Sequence, residues 1–451
     1  MGGTDRAWSL TLGRVRNGPK DVSNLCRSIP TGTWPEARAP LVNAQLSLAA
    51  TAEGLTPAHV RFRHGIPCHA RLMELVQTAA EARACRRPVL GAFVVFGAFW
   101  GAWAALVPAV EDAIGARPGG LGLALLFLGV GALPAMALVG SGIDRFGGVV
   151  LPATLLALAG AALLPAFAGS VPTLAVAMMV VGAASGAADV AINSEVAALE
   201  AGTRTTLMPL AHGTFSAGVI VGAVSAGAAR QLGADRLEIL ATAAALIAVS
   251  AWHNRRPYPR PNDAKPQRRV RRRSLVLLGA VCAVAFVIEG GIENWSALFL
   301  ERELGAEPAV SALAPAAYAL AMVAGRLSGQ WLLRVASPGR VLASGAVVST
   351  AALAVGSRAG EAALAICAFG VAGLGIALAA PILFGAAGRR GSDADRGASV
   401  ATVTTISYLG FLAGPPLVGG TAQAIGLRGS LVLLAAAAAI VAAAAPRLEL
   451  D

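Results

Sequence analysis

Residues 255–300 read RRPYPRPNDAKPQRRVRRRSLVLLGAVCAVAFVIEGGIENWSALFL. The first 19 hold nine Lys/Arg against a single acid, Asp263; the next 27 hold no base at all and only two charges, Glu289 and Glu293. As a helix rising about 1.5 Å per residue, such a run spans about 40 Å, more than the roughly 30 Å hydrocarbon core of a bilayer. A short basic segment beside it is the mark of a cytoplasmic loop. This stretch therefore predicts a membrane helix emerging from a basic cytoplasmic linker.

The same alternation runs outward in both directions. Apolar segments recur from 89–110 to 427–446, twelve in all, six on each side of the linker. Only 14% of the 451 residues are charged and 56% are hydrophobic, whereas a soluble domain carries about 25% charge. So few charges cannot coat a water-soluble globule of this size. The expected fold is an all-α membrane protein of twelve transmembrane helices in two pseudo-symmetric six-helix bundles, residues 83–253 and 274–451, joined by the linker at 254–273.

Residues 1–82 differ, with five prolines between Pro30 and Pro67, scattered charge and no spanning run. They read as a disordered or spurious extension, with Met73 as the natural start, and they lack the apolar core of a signal peptide. The formal charge of +11 is concentrated in the linker, so nucleic-acid binding is not expected. Five cysteines share no metal-binding spacing, and Walker, GxSxG and HExxH signatures are absent. Neither metal nor cofactor is implied, the chain does not read as an enzyme, and without a Walker loop it cannot hydrolyse ATP to drive work.

Placing both termini and the linker in the cytoplasm puts about 20 Lys/Arg inside and about six outside. GxxxG pairs fall at Gly97/Gly101, Gly182/Gly186, Gly218/Gly222, Gly325/Gly329 and Gly410/Gly414, in spans 1, 4, 5, 8 and 11. Paired glycines let helix backbones approach closely. Spans 3, 6, 9 and 12 have none, and are the expected lipid-facing rim.

Between spans 2 and 3 the chain reads Gly140-Ser-Gly-Ile-Asp144-Arg145-Phe-Gly147-Gly148. A tight turn needs glycines, and adjacent opposite charges can latch one state and release in another. The segment resembles the GxxxDRxG loop of the major facilitator superfamily, and with twelve spans and a basic linker the resemblance covers residues 89–446. The second-half copy is eroded: Gly329 and Arg334 keep the spacing, but Leu333 stands where Asp144 would be matched. Two further stretches, Asp189-Val-Ala-Ile-Asn193 with Met208 to Ser216, and Glu289 to Leu300, resemble the sugar-permease-like and rhizopine-transporter-like branch. The resemblance implies a secondary transporter working by alternating access, with a single chain as the transport unit in the cytoplasmic (inner) membrane.

Ionisable residues inside a bilayer cost about 2.5–3.5 kcal/mol each on insertion scales and are functional candidates by default. Glu289 and Glu293, one turn apart in span 7, repel one another, which favours uptake of a proton on one of them. They are the first candidates for proton coupling, with Asp189 and His212 as further members. The alternatives are that Glu293 is solvated at the outer mouth and that His212 is a satisfied hydrogen-bonding residue. Asn193, Asn294, Trp295, Trp100 and Trp103 offer amides and aromatic faces to a polar ring, though tryptophans also serve as packing or interfacial residues. Gly140, Asp144, Arg145, Gly147 and Arg326 are the gating candidates. An Asp189–Arg326 pair would close a cavity from the cytoplasmic side, unless Arg326 pairs within its own half or snorkels to the interface. Glu195 and Glu200, with Arg204, are placed at the cytoplasmic boundary.

The expected function is transport of a small polar solute, sugar-like by preference, coupled to protons. Proton-driven efflux of drugs or amino acids, and a membrane sensor that moves nothing, are the other readings.

Overall fold

The computed structural model describes the backbone of residues 67–203, 206–255, 273–390, 396–448 and 450, and the side chains from Cys85 onward except those of Ser141, Asp144, Arg145 and a few near helix ends. Cys85–Asp451 is a compact unit of its own. Of the expected extension at 1–82, all but a helical backbone from Pro67 lies outside the described residues, as does the linker from 256 to 272.

Among the described residues, eleven helical segments are long and apolar enough to cross a bilayer. They are α1 (Cys85–Ile114), α2 (Pro118–Gly140, its helix running on to Phe146), α3 (Gly147–Phe167), α4 (Val171–Glu200), α5 (Met208–Gln231), α6 (Arg236–His253), α7 (Arg273–Leu304), α8 (Pro308–Val335), α9 (Pro338–Gly356), α10 (Ala362–Arg390) and a last segment, Thr402–Arg447. That last segment has 46 residues, about 69 Å of helix, twice what one crossing needs. It is broken where Ile425 takes φ −135° and Gly426 takes φ 83° and ψ 166°, a conformation only glycine adopts freely. The break yields α11 (396–424) and α12 (427–444), and the twelve crossings read from the sequence are all present.

Local chemistry explains the boundaries. Pro118, Pro308 and Pro338 sit in the first turn of their helices, where a missing N–H costs nothing. Asp235 and Glu238 form a reciprocal capping box at the start of α6, with bonds of 2.8 and 3.0 Å. The Glu200 carboxylate at the end of α4 accepts the Leu207 and Met208 backbone N–H groups and so caps α5. Gly147, at φ 56°, ends α2, and its N–H bonds back to the Ile143 carbonyl.

Packing repeats between the two halves of the chain. In the first, α1 lies on α5, α2 on α4 and α3 on α6; in the second, α7 lies on α11, α8 on α10 and α9 on the end of α12. The glycine pairs make these crossings. A methyl on Gly97, Gly101, Gly218 or Gly222 would strike backbone of the partner helix within the α1–α5 pair, and one on Gly182 would strike Leu128 of α2. Gly410 meets Ala283 of α7 in the same way, while Gly414 has more room. Across the halves, α2 meets α11 (Gly122 on Pro415 and Gly419) and α5 meets α8 (Gly227 on Pro308 and Ala312). Both sets obey one rule, helix n corresponding to helix n + 6. The helices expected at the lipid rim make none of these inter-half contacts; they display Leu156, Trp252, Val347 and Ile440 outward.

With twelve crossings, the chain ends fall on one face. Asn254, closing α6, donates to the Pro88 carbonyl at 3.1 Å, and Arg389 at the end of α10 donates to the Leu450 carbonyl at 2.7 Å. We call this the terminal face and its counterpart the distal face.

Candidate functional site

The charged residues predicted inside spans lie on α4, α7 and α8. Glu289 and Glu293 are both partly buried on α7, and Arg326 of α8 reaches Glu289, Nη2 to Oε1, at 3.5 Å. Arg326 thus pairs within the second half rather than with Asp189. Asp189 is engaged on its own helix: Asn193 Nδ2 donates to the Asp189 carboxylate at 3.0 Å and to its carbonyl at 2.9 Å. The i, i+4 spacing makes the two side chains neighbours on one face of α4. The bond also occupies the Nδ2 donor of the amide expected to meet solute.

Other residues close the space between these helices. Tyr408 of α11 lies within electrostatic reach of both Asp189 and Glu289, and His212 of α5 within reach of Arg326. His212 is exposed near the start of α5, its ring edge-to-face with Phe93 at 5.5 Å. Acids from both halves and the Arg326 guanidinium thereby converge on the interface of the halves. Two carboxylates, Glu289 and Glu293, lie within electrostatic reach of the one Arg326 guanidinium, and Asp189 lies on the other half.

The tryptophans divide. Trp103 is 1% exposed, and its Nε1 donates to Asn294 Oδ1 at 3.3 Å across the halves, while Asn294 Nδ2 donates to the Gly290 carbonyl at 2.9 Å. Trp103 and Asn294 satisfy each other. Trp295, expected to face solute, is instead a packing residue: it is 2% exposed, its ring lies against Gly419, and its Nε1 has no hydrogen-bond partner among the described residues. One residue along a helix turns the side chain by 100°, and here it sends Asn294 to Trp103 and Trp295 to Gly419. Trp100 is half-buried and edge-to-face with Phe99 at 5.1 Å.

The gating candidates are only partly visible. Gly140 is exposed with no neighbour near its missing Cβ, and Gly147 ends α2. The Asp144 and Arg145 side chains, and Arg204, lie outside the described residues. Glu200 caps α5, but Glu195, expected at the boundary, is fully buried.

Two groups of residues escaped the sequence reading. One is an aromatic cluster: Phe286, one turn before Glu289, stacks on Phe411 at 4.4 Å and meets Tyr408 at 6.1 Å and Phe384 at 6.4 Å. Only the 3.6-residue spacing of Phe286 and Glu289 hinted at it. The other is a set of ion pairs at the distal face. Arg230 holds Glu301 through contacts of 2.6 and 3.1 Å, Arg302 holds Glu111 at 3.0 Å and also Asp112, and Arg428 holds Glu303 at 3.0 Å. Their charges sit at span ends, where a sequence shows only solvated boundary residues.

The fold and this internal charge cluster define a polytopic membrane transporter. The Major Facilitator Superfamily profile matches residues 89–391, two thirds of the chain. The chain belongs to that superfamily. It is 35% identical to an uncharacterized MFS-type transporter of Yersinia pestis, over 74% of this chain and 87% of the relative. It is 30% identical to membrane protein MosC of Rhizobium meliloti, over 76% of this chain and 85% of the relative. Among solved structures, a mutant of the nucleoside transporter NupG matches with a TM-score of 0.70 at 13% identity, covering 81% of this chain and all of the other. At that identity the likeness shows the fold.

Proposed function

We propose that this chain imports a small polar solute, sugar-like by preference, across the cytoplasmic membrane by alternating access, with a proton carried on the α7 carboxylates. In this reading the terminal face is cytoplasmic and one chain is the transport unit. The observation that carries it is that Arg326 holds Glu289 at 3.5 Å beside Glu293, while Tyr408 lies within electrostatic reach of both Glu289 and Asp189 of the other half. Lipid would penalise each charge, and structural packing needs none of them.

The chemistry follows from the pairing. With Glu289 ionised, Arg326 is neutralised; a proton on Glu289 frees the guanidinium for a solute hydroxyl or carboxylate. Loading the proton and loading the solute are then coupled, because each changes the partner available to Arg326. Glu293, one turn toward the distal face, provides the second proton position. Trp100 and the Phe411 and Tyr408 rings, backed by buried Phe286, supply flat apolar faces against which a ring-shaped solute stacks. Protons balance the excess of carboxylates when the solute is absent.

The test is flux in vesicles containing purified protein. Addition of transported solute should move protons inward with it, and an imposed pH gradient should drive uptake against a concentration gradient. In Glu289→Gln, uptake should continue only down the solute gradient. Full retention of gradient-driven uptake by that variant would remove Glu289 from the coupling role.

A further inference from the structure

We propose that the buried Arg230–Glu301 pair is the distal gate of this protein, a two-state latch whose parting opens the passage on that face. The inference rests on the alternating-access reading and assigns its distal gate to particular residues. Arg230 ends α5 in the first half and Glu301 ends α7 in the second; their side chains are 9% and 11% exposed. Each also has a partner in its own half. Arg230 donates to the Ala105 carbonyl of α1 at 2.7 Å, and the Glu301 carboxylate accepts the Ser311 hydroxyl at 2.6 Å.

That second set of partners is what makes a latch of the pair. A buried pair with no other contacts strands two bare charges when it parts. Here, separation of the halves leaves the guanidinium on a carbonyl and the carboxylate on a hydroxyl, so the open state is reachable, while the closed state adds the two-pronged ion pair. Nearby contacts lock in the same direction. Gln231 donates to Glu307 at 3.2 Å, and below them Trp103 bonds Asn294 between α1 and α7. Close glycine crossings, Gly227 on Ala312 and Gly122 on Gly419, hold the halves together at the same end.

The neighbouring pair is built differently. Arg302 takes all three of its side-chain contacts, Glu111, Asp112 and the Pro108 carbonyl, from the first half, and its side chain is 37% exposed. Asp112 is 64% exposed, so water replaces that contact readily and it contributes little to the closed state, whereas Glu111 is 8% exposed. The Arg302–Asp112 contact therefore differs in weight from the Arg230–Glu301 pair although both bridge the halves.

Spin labels on Arg117→Cys and Arg358→Cys, both exposed in distal loops of opposite halves, report opening through their distance distribution on a background with the native cysteines replaced. No solute is needed, so the result is independent of what the protein carries. The parent protein should give a short distance. Glu301→Gln and Arg230→Gln should each raise the long-distance population by about tenfold or more, because one buried charge is left behind. Asp112→Asn, which removes only the exposed contact, should leave the distribution near that of the parent. The exchanged double variant R230E/E301R should return it toward the short distance. An unchanged distribution in monodisperse Glu301→Gln protein, or an Asp112→Asn effect as large as that of Glu301→Gln, would overturn the latch. Loss of solute-driven flux with the distance shifts intact would instead count against the transport reading.

Discussion

Trp295 and Trp100 separate packing from recognition at the level of single residues. Trp295 is sealed against Gly419, so Trp295→Ala should cost about 3–5 kcal/mol of stability and show as lost yield and a lower melting temperature in detergent. Trp100 is half-buried beside Phe99. Trp100→Ala should instead leave melting within a few degrees and weaken solute binding, measured as the ligand-induced rise in melting temperature. The sequence placed charges in apolar spans with ease, since each is conspicuous against its surroundings. It could not say which way neighbouring side chains point. Asn294 and Trp295 looked like one cluster, yet the helical turn between adjacent positions sends one across to Trp103 and the other into α11. Likewise spacing left Arg326 open to Asp189, to a pair within its own half or to the interface, and only the arrangement of α7 and α8 brings it to Glu289.

Between helices, the glycine pairs carry most of the legible information. Their presence in spans 1, 4, 5, 8 and 11 matches helices that cross closely, but their absence does not exclude such a crossing: a methyl on Gly345 of α9 would strike the Gly375 carbonyl of α10. Not every pair is equally strict. Gly222→Ala should abolish monodisperse folded protein, because the added methyl meets the Ala98 backbone and neither helix can yield. Gly414→Ala should be tolerated, its new Cβ lying 3.5 Å from Val287, an ordinary contact. Size-exclusion profiles of the two variants test this directly; aggregation of both, or of neither, would contradict the crossing geometry. Helix caps were less legible, because they join residues remote in character. The Asp235–Glu238 box stands in the sequence as a recognisable D-x-x-E, but Glu200 capping α5 depends on a turn of chain that spacing alone does not define.

Across the whole molecule, a single correspondence between helix n and helix n + 6 orders both the packing within each half and the contacts between halves. Twelve apolar runs about a basic centre were enough to anticipate it. What they could not reveal was the state of the halves: ion pairs at span ends look the same in sequence whether they face water or each other. In the structure they meet at the distal face, drawing α1, α5 and α7 together there. The acids of α4 and α7 should accordingly be reached by water from the terminal face. Chemical labelling of Asp189→Cys and Glu289→Cys in oriented membrane vesicles measures this most directly. A charged, membrane-impermeant thiol reagent should modify both positions when applied to the terminal face and neither when applied to the distal face. Modification of both by a lipid-soluble maleimide alone, with the charged reagent inert from either side, would place these residues against acyl chains and contradict a wet central passage.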